Sequence, residues 1–277
     1  MTDASPEYDP AAVAIRPAAT VMLVDDRPDL HVLMLRRNAR QVFASDMWVY
    51  PGGAVDVADA EEAAPYCDGL DDITASRRLG MESGGLAYWV AAIRECFEEA
   101  GVLFSTPPAG ADAIQRLAAR RDQLNRHEVD FLDIVRQEGL RLQVDRLQPV
   151  AHWITPMGPP RRFDTRFFVA GLPEGQVAAH DEGEAVHHEW VRPADALEAW
   201  GAGLRDMMSP TARMLKSLLL FTSAAEVLDS VAARLPAEQV RVTHVPEYRV
   251  MLPGDRGYDQ GDPDAEFGWV ALRPLTR

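Results

Sequence analysis

Cysteine is almost missing. Cys67 and Cys96 are the only two in 277 residues, which excludes a disulfide-stapled scaffold and fits a reducing compartment. Long apolar runs are missing too. None approaches the roughly eighteen residues that a membrane-spanning helix needs, no secretory leader is legible at the start, and Leu275-Thr276-Arg277 is not a peroxisomal address. A soluble, unanchored, cytoplasmic protein with no membrane partner is expected. Positive charge is scarce: Lys+Arg 28 against Asp+Glu 43 gives a formal net charge of −15. That balance repels nucleic-acid polymers and anionic lipid at long range, while small anions can still bind through local arginines and metal. Internal repeats and low-complexity linkers are also absent.

What is present is a hydrophobic content of 47%, enough for a full core and read as one elaborated domain. Residues 1–17, rich in Ala, Pro and Asp without apolar periodicity, read as a flexible arm. Thr20-Val21-Met22-Leu23-Val24 and His31-Val32-Leu33-Met34-Leu35, joined by Asp25-Asp26-Arg27-Pro28-Asp29, read as a hairpin. Arg36 and Arg37 follow it, equally solvated charges or phosphate contacts. Met47-Trp48-Val49-Tyr50 is a strand that stops at Pro51-Gly52-Gly53, where two residues without Cβ let the backbone approach a ligand. Residues 60–86 form an acidic, Gly-containing insertion with a short helix at 73–79, and Val102-Leu103-Phe104 reads as a strand. Two amphipathic helices are expected within 109–139, shaping either a substrate pocket or a homodimer interface. Strands follow at 147–154, 161–169 and 187–191, helices at 193–200 and across 204–234, and a C-terminal extension at 236–277.

The most informative stretch is Arg94-Glu95-Cys96-Phe97-Glu98-Glu99-Ala100-Gly101-Val102. At about 100° per residue, Trp89, Val90, Ile93, Cys96, Phe97 and Ala100 fall on one side of a helix and Glu95, Glu98 and Glu99 on the other. Ala91 and Ala92 flank the acidic side and leave room for an ion or ligand, and Gly101 is a terminator. Spacings of three and four let the three carboxylates converge on one or two cations. Oxygen-only ligands suit Mg²⁺ or Mn²⁺. Arg94, four residues before Glu98, can hold a carboxylate in place.

This stretch, preceded by the Pro-Gly-Gly loop, resembles the signature of the Nudix hydrolases. The second half of that signature matches, with Cys96 in its aliphatic slot. The first half is displaced: five residues after Gly53 comes Asp59 where the pattern has Glu, and Leu86 stands where the uninterrupted pattern would put that Glu. The split box, with Trp153-Ile154-Thr155-Pro156, Arg161-Arg162-Phe163-Asp164-Thr165 and Leu252-Pro253-Gly254-Asp255, resembles the branch that includes peroxisomal acyl-coenzyme A diphosphatases. The likeness spans roughly residues 18–255.

The resemblance implies an α/β fold, a Nudix-type α/β/α sandwich with a central mixed sheet and additional C-terminal helices, its domain covering 18–235. It implies a metal-dependent hydrolase of a nucleoside diphosphate linked to another moiety, with coenzyme A or acyl-coenzyme A giving 3′,5′-ADP and a phosphopantetheine product. NADH, ADP-ribose and nucleotide sugars are alternative substrates, and a non-catalytic nucleotide-sensing module is an alternative role. Glu95, Glu98 and Glu99 are the expected metal ligands, and Arg94 and Glu98 the expected catalytic residues. Gly52, Gly53, Arg161 and Arg162 are the expected substrate contacts, the two arginines offering bidentate bonds to phosphate or serving only as surface charge. Glu182 and Glu184 are further candidates for the general base. His187 and His188 alternate on a strand and are read as structural. Cys96, on the apolar face, is not expected to be a nucleophile.

Overall fold

After their first residues, Thr20 and His31, the two opening runs are apolar at every position, a pattern that a strand tolerates only when both its faces are covered. The computed structural model describes residues 12–39, 45–106, 111–233, 237–243, 249–253, 255–262 and 268–273. In it the runs lie within β1 (Ile15–Asp26) and β2 (Leu30–Arg37), an antiparallel hairpin. β3 (Trp48–Val49) pairs with β2, and β4 (Gly52–Ala54) pairs with β1. Next come α1 (Val57–Glu61), β5 (Cys67–Asp68), α2 (Asp72–Leu79), α3 (Leu86–Ala100), β6 (Ser105–Thr106), α4 (Ala111–Asn125), α5 (Phe131–Gln137) and β7 (Arg141–Gln143). β8 (Gln148–Ile154), β9 (Arg162–Gly171) and β10 (Ala185–Val191) then lead to α6 (Pro193–Gly201), α7 (Ser209–Leu218) and α8 (Ala224–Ala232). The chain ends with β11 (Glu238–Gln239), β12 (Arg241–Thr243), β13 (Arg249–Met251) and β14 (Gly268–Val270).

The main sheet runs β10-β2-β1-β9-β8-β14-β11, and it is mixed because β1 and β9 are parallel while their neighbours are antiparallel. Alternate residues of the central strands feed two cores. Val21, Leu23, Leu33, Leu35 and Phe168 pack under α3 together with α2, α4 and α5. Met22, Val24, Val32, Met34, Phe167 and Val169 pack against Met214, Leu215, Leu218 and Val227 of α7 and α8. The result is the expected α/β/α sandwich. Leu117, Leu124, Phe131, Leu132 and Val135 join the α3-side core, so α4 and α5 spend their apolar faces on the domain itself.

Three expectations change. β1 begins at Ile15, inside the segment read as an arm, because Ile15, Arg16 and Pro17 continue the parallel ladder to Arg162, Phe163 and Asp164. The C-terminal extension is not separate from the domain: β14 pairs with β8 and extends the main sheet. Val102, Leu103 and Phe104 are buried but form no strand. The Gln176 side chain both accepts from Leu103 N and donates to Leu103 O, at 2.9 and 2.7 Å, replacing the ladder a neighbouring strand would supply. Residues 1–11, 107–110 and Gly254, on which parts of the arm, the helical insert and the Leu252-Pro253-Gly254-Asp255 segment fall, lie outside the described residues.

Candidate active site

The start of α3 is prepared by α2. Backbone N–H groups at a helix start have no intrahelical acceptor; here the Asp72 carboxylate accepts from Gly84 N and Leu86 N, both at 3.0 Å, and Ser76 Oγ accepts from Gly85 N at 2.8 Å. The end closes as read from the sequence. Gly101 takes the left-handed conformation at φ 67°, its N–H bonds Phe97 O, and Val102 N bonds Cys96 O. Trp89, Ile93 and Phe97 anchor the apolar side, each buried large side chain contributing roughly 1.5–3 kcal/mol.

The acidic side is not open. Every α3 residue is buried except Glu98, which is half-buried, and Ala91 and Ala92 sit in the core instead of lining free space. What covers the acids is polar backbone and charge. Gly52 N donates to Glu99 Oε2 at 2.8 Å. Gly53 brings the β4 backbone so near Glu95 that a Cβ there would lie 2.5 Å from Oε1. The loop is fixed in turn, because Pro51 O accepts from both Val21 N and Thr20 Oγ1 at 2.8 Å.

Arg94 is the hub. Its Nε faces both Asp59 oxygens at 3.2 Å, Nη2 reaches Asp59 Oδ2 at 3.0 Å and Ala54 O at 2.7 Å, and Nη1 reaches Glu95 at 2.8 Å and Glu98 at 3.3 Å. Asp59 itself accepts from Asp56 N at the start of α1. The insertion thus returns the displaced carboxylate to the arginine of the second half. Burial pulls the guanidinium's pKa down, but Glu95 and Asp59 more than reverse this and keep it charged. Burial pushes Asp59 upward against the pull of Arg94; the close multiple N–H···O contacts favour the ionised pair.

Burial pushes the other acids the same way. Glu95 rises to about 7, with Arg94 opposing and Glu98 reinforcing the shift. Glu98 also rises, by burial against Arg94. Glu99 lies well above the usual carboxylate range, through burial and then the charge of Glu95, with Arg37 and the Gly52 N–H pulling against them. Cys96 is fully buried and its thiol is pushed up by that burial, consistent with an inert residue.

Glu184 is brought close and Glu182 is not. Arg37 lies 3.5 Å from Glu99 Oε1 and 3.3 Å from Glu184 Oε2. The turn carrying Glu184 is closed by the Asp181 carboxylate, which accepts from Gly183, Glu184 and Ala185 N, and it is tied to β2 by Asn38 N donating to Glu184 O at 2.8 Å. Glu182 is exposed within that turn. Arg161 is exposed, and Arg162 donates to Thr155 O across the β8–β9 connection. No contact recorded among the described residues joins either to an α3 carboxylate. His188 meets His180 at 2.7 Å between Nδ1 atoms, and His187 sets its edge against Trp48.

Sequence reasoning left Arg37 undecided and missed Arg121. Alternation puts Arg36 and Arg37 on opposite faces of β2, and Arg36 pairs with Asp46; which face α3 would cover was not written in the strand. Arg121 Nε and Asn125 Nδ2 donate to Glu98 O at 3.0 and 3.2 Å, and Arg121 Nη2 to Ala179 O at 2.8 Å. Only their positions on α4 signalled them.

Residues 76–211 match the family model described as the NUDT19 Nudix domain. That segment, just under half of the chain, is similar to the Nudix hydrolases. Among curated Nudix relatives, the chain is 28% identical over 310 residues to the acyl-coenzyme A diphosphatase NUDT19 of Gallus gallus, covering 90% of this chain and 81% of that protein. The human protein of the same name is 29% identical over 206 residues, which cover 61% of this chain and 55% of its own length. The chain therefore spans little more than half of the human relative. A Nudix hydrolase crystal structure from Alicyclobacillus acidocaldarius superposes with a TM-score of 0.59 at 26% identity, covering 79% of this chain and 98% of that one. The matched Nudix segment begins beyond the Pro-Gly-Gly loop, so Arg37, Gly52, Gly53 and Asp59 enter the site through the fold.

Proposed function

We propose that the protein is a divalent-cation-dependent hydrolase of the diphosphate in a nucleotide-linked substrate, coenzyme A or an acyl-coenzyme A by the names of its relatives. One observation carries this reading: Glu95 and Glu99 are buried side by side on α3, with the Gly52 N–H bonded to Glu99 and the Gly53 backbone closing on Glu95, and the charge of Glu95 adds to the burial that raises Glu99. Among the described residues no three His, Cys, Asp or Glu side chains are gathered into a group that could hold a metal ion, so a cation and substrate phosphate would have to draw the α3 carboxylates together; their oxygen-only donors suit Mg²⁺ or Mn²⁺.

Glu95, Glu98 and Glu99 would hold the ion. When bound, it would neutralise diphosphate charge and acidify a water. Arg94 fixes the rotamers of Glu95 and Glu98 through its bonds to both. Glu98, the least buried of the three, is assigned the proton of the attacking water, and Glu184 is the second candidate for that role. Gly52 and Gly53 act on the substrate through Glu99 and Glu95. Arg161 and Arg162 are assigned no phosphate contact.

The test is a panel of coenzyme A, an acyl-coenzyme A, NADH, ADP-ribose and a nucleotide sugar, incubated with Mg²⁺ or Mn²⁺ and resolved by chromatography. Release of 3′,5′-ADP from the coenzyme A substrates supports the proposal in full. Turnover of NADH or ADP-ribose alone removes the substrate and keeps the reaction. No cleaved diphosphate, with tight nucleotide binding, replaces the enzyme with a sensing module.

A further inference from the structure

Two arginines touch the α3 carboxylates, and they are held very differently. Arg94 makes six hydrogen bonds of 2.7–3.3 Å to four partners. Among the described residues Arg37 has only the two contacts at 3.5 and 3.3 Å, to Glu99 and Glu184, although its side chain is just 18% exposed. Charge-assisted N–H···O bonds close to about 2.7–2.9 Å; the bond to Glu184 is long and the contact with Glu99 is an ion pair without a hydrogen bond. Arg37 Nε is buried with no hydrogen-bond partner. A guanidinium offers five N–H donors, and a buried one that leaves most of them unmet is costly unless an anion supplies acceptors. The backbone at this point is fixed, with Arg37 N donating to Met47 O at 3.0 Å and Asn38 N to Glu184 O at 2.8 Å. The spare donors therefore belong to an anchored residue beside the acids.

We propose that Arg37 is a substrate-positioning residue with two opposed effects: its free N–H donors take a phosphoryl group of the diphosphate, and its charge beside Glu99 restrains that carboxylate's affinity for a divalent cation. The inference rests on the hydrolase reading above. It follows from position alone, since a cation bound to Glu99 is repelled by the guanidinium at 3.5 Å, whereas a phosphoryl group is attracted by it. A purely structural arginine would lower both affinities together when removed.

The experiment measures Mn²⁺ binding by electron paramagnetic resonance without nucleotide, and ADP binding by calorimetry in EDTA, for wild type, Arg37→Gln, Arg37→Lys and Glu99→Gln. Arg37→Gln is expected to bind Mn²⁺ several-fold more tightly and ADP roughly tenfold to a hundredfold more weakly, the loss expected for charge-assisted bonds. Arg37→Lys should restore the wild-type Mn²⁺ affinity but only part of the ADP affinity, because an ammonium lacks the planar fork. Unchanged or weaker Mn²⁺ binding in Arg37→Gln, while Glu99→Gln still loses it, overturns this inference alone. A wild type that takes up no Mn²⁺, or a Glu99→Gln variant that binds it as well as wild type, overturns the cation reading of the helix as well.

Discussion

Gly52 and Gly53 adjoin in sequence but guard different things. A Cβ on Gly53 would meet the Glu95 carboxylate first, its three nearest atoms at 2.5, 2.6 and 2.7 Å all belonging to that side-chain end. A Cβ on Gly52 would meet Ala19 O at 2.5 Å and Thr20 Cα at 2.6 Å, which are backbone. Gly53→Ala should therefore fold with an almost unchanged melting temperature while moving Glu95 off its position. A misplacement of about 1 Å in a catalytic group can cost on the order of a hundredfold in rate, and kcat for the diphosphate substrate is expected to fall by that order. Gly52→Ala should lower melting temperature and activity together, because the β1–β4 ladder must part. Equal thermal losses in the two variants would show that Glu95 cannot yield. The missing Cβ atoms were legible in the sequence as a close approach, but the neighbours approached are the chain's own Glu95 and Thr20, which only the register of β4 on β1 reveals.

At the scale of elements, α4 is a brace between the acidic helix and the turn that carries Glu184. Arg121 and Asn125 both donate to Glu98 O, in the last turn of α3, and Arg121 also holds Ala179 O. Ala179 N in turn donates to Ala100 O at 2.9 Å. Arg121→Ala removes two of these ties, each bond from a charged donor being worth about 1.5–3 kcal/mol at most. Faster amide exchange is expected across residues 179–184, with little change in the β1–β2 hairpin. Exchange that rises equally in both regions would make Arg121 a general stabiliser instead of a brace. The hairpin, α3 and its Gly101 stop were legible because they follow from local periodicity and turn chemistry. The brace was not, because apolar periodicity places α4 on the core without saying that one guanidinium on its flank meets a helix end. The covered acidic face was hidden for the same reason: β4 backbone and the Asp59–Arg94 pair bury it, and neither leaves an apolar signal.

Across the whole molecule, the formal charge of −15 and the buried α3 acids act on stability in the same direction. Burial raises Glu95 from an ordinary 4.5 to about 7, despite the opposing Arg94, and Glu98 and Glu99 are raised by burial as well. Between 4.5 and about 7 the folded protein binds a proton at Glu95 that the unfolded chain has already released. Stability must then fall as pH rises through that window, and it recovers as pH is lowered from about 7 towards 4.5. Thermal melts in EDTA should show this slope, opposite to that of carboxylates locked in salt bridges, and saturating Mn²⁺ should reduce it by compensating the same acids. Self-repulsion from the net charge also weakens the fold as pH rises, so the slope alone does not separate the two causes. Glu95→Gln does, because it removes one of 43 acidic residues and hardly alters the net charge. The EDTA slope is expected to flatten markedly in that variant and to lose most of its response to Mn²⁺. A slope that survives Glu95→Gln intact would remove Glu95 as its source and leave it to Glu98, Glu99 and the overall charge.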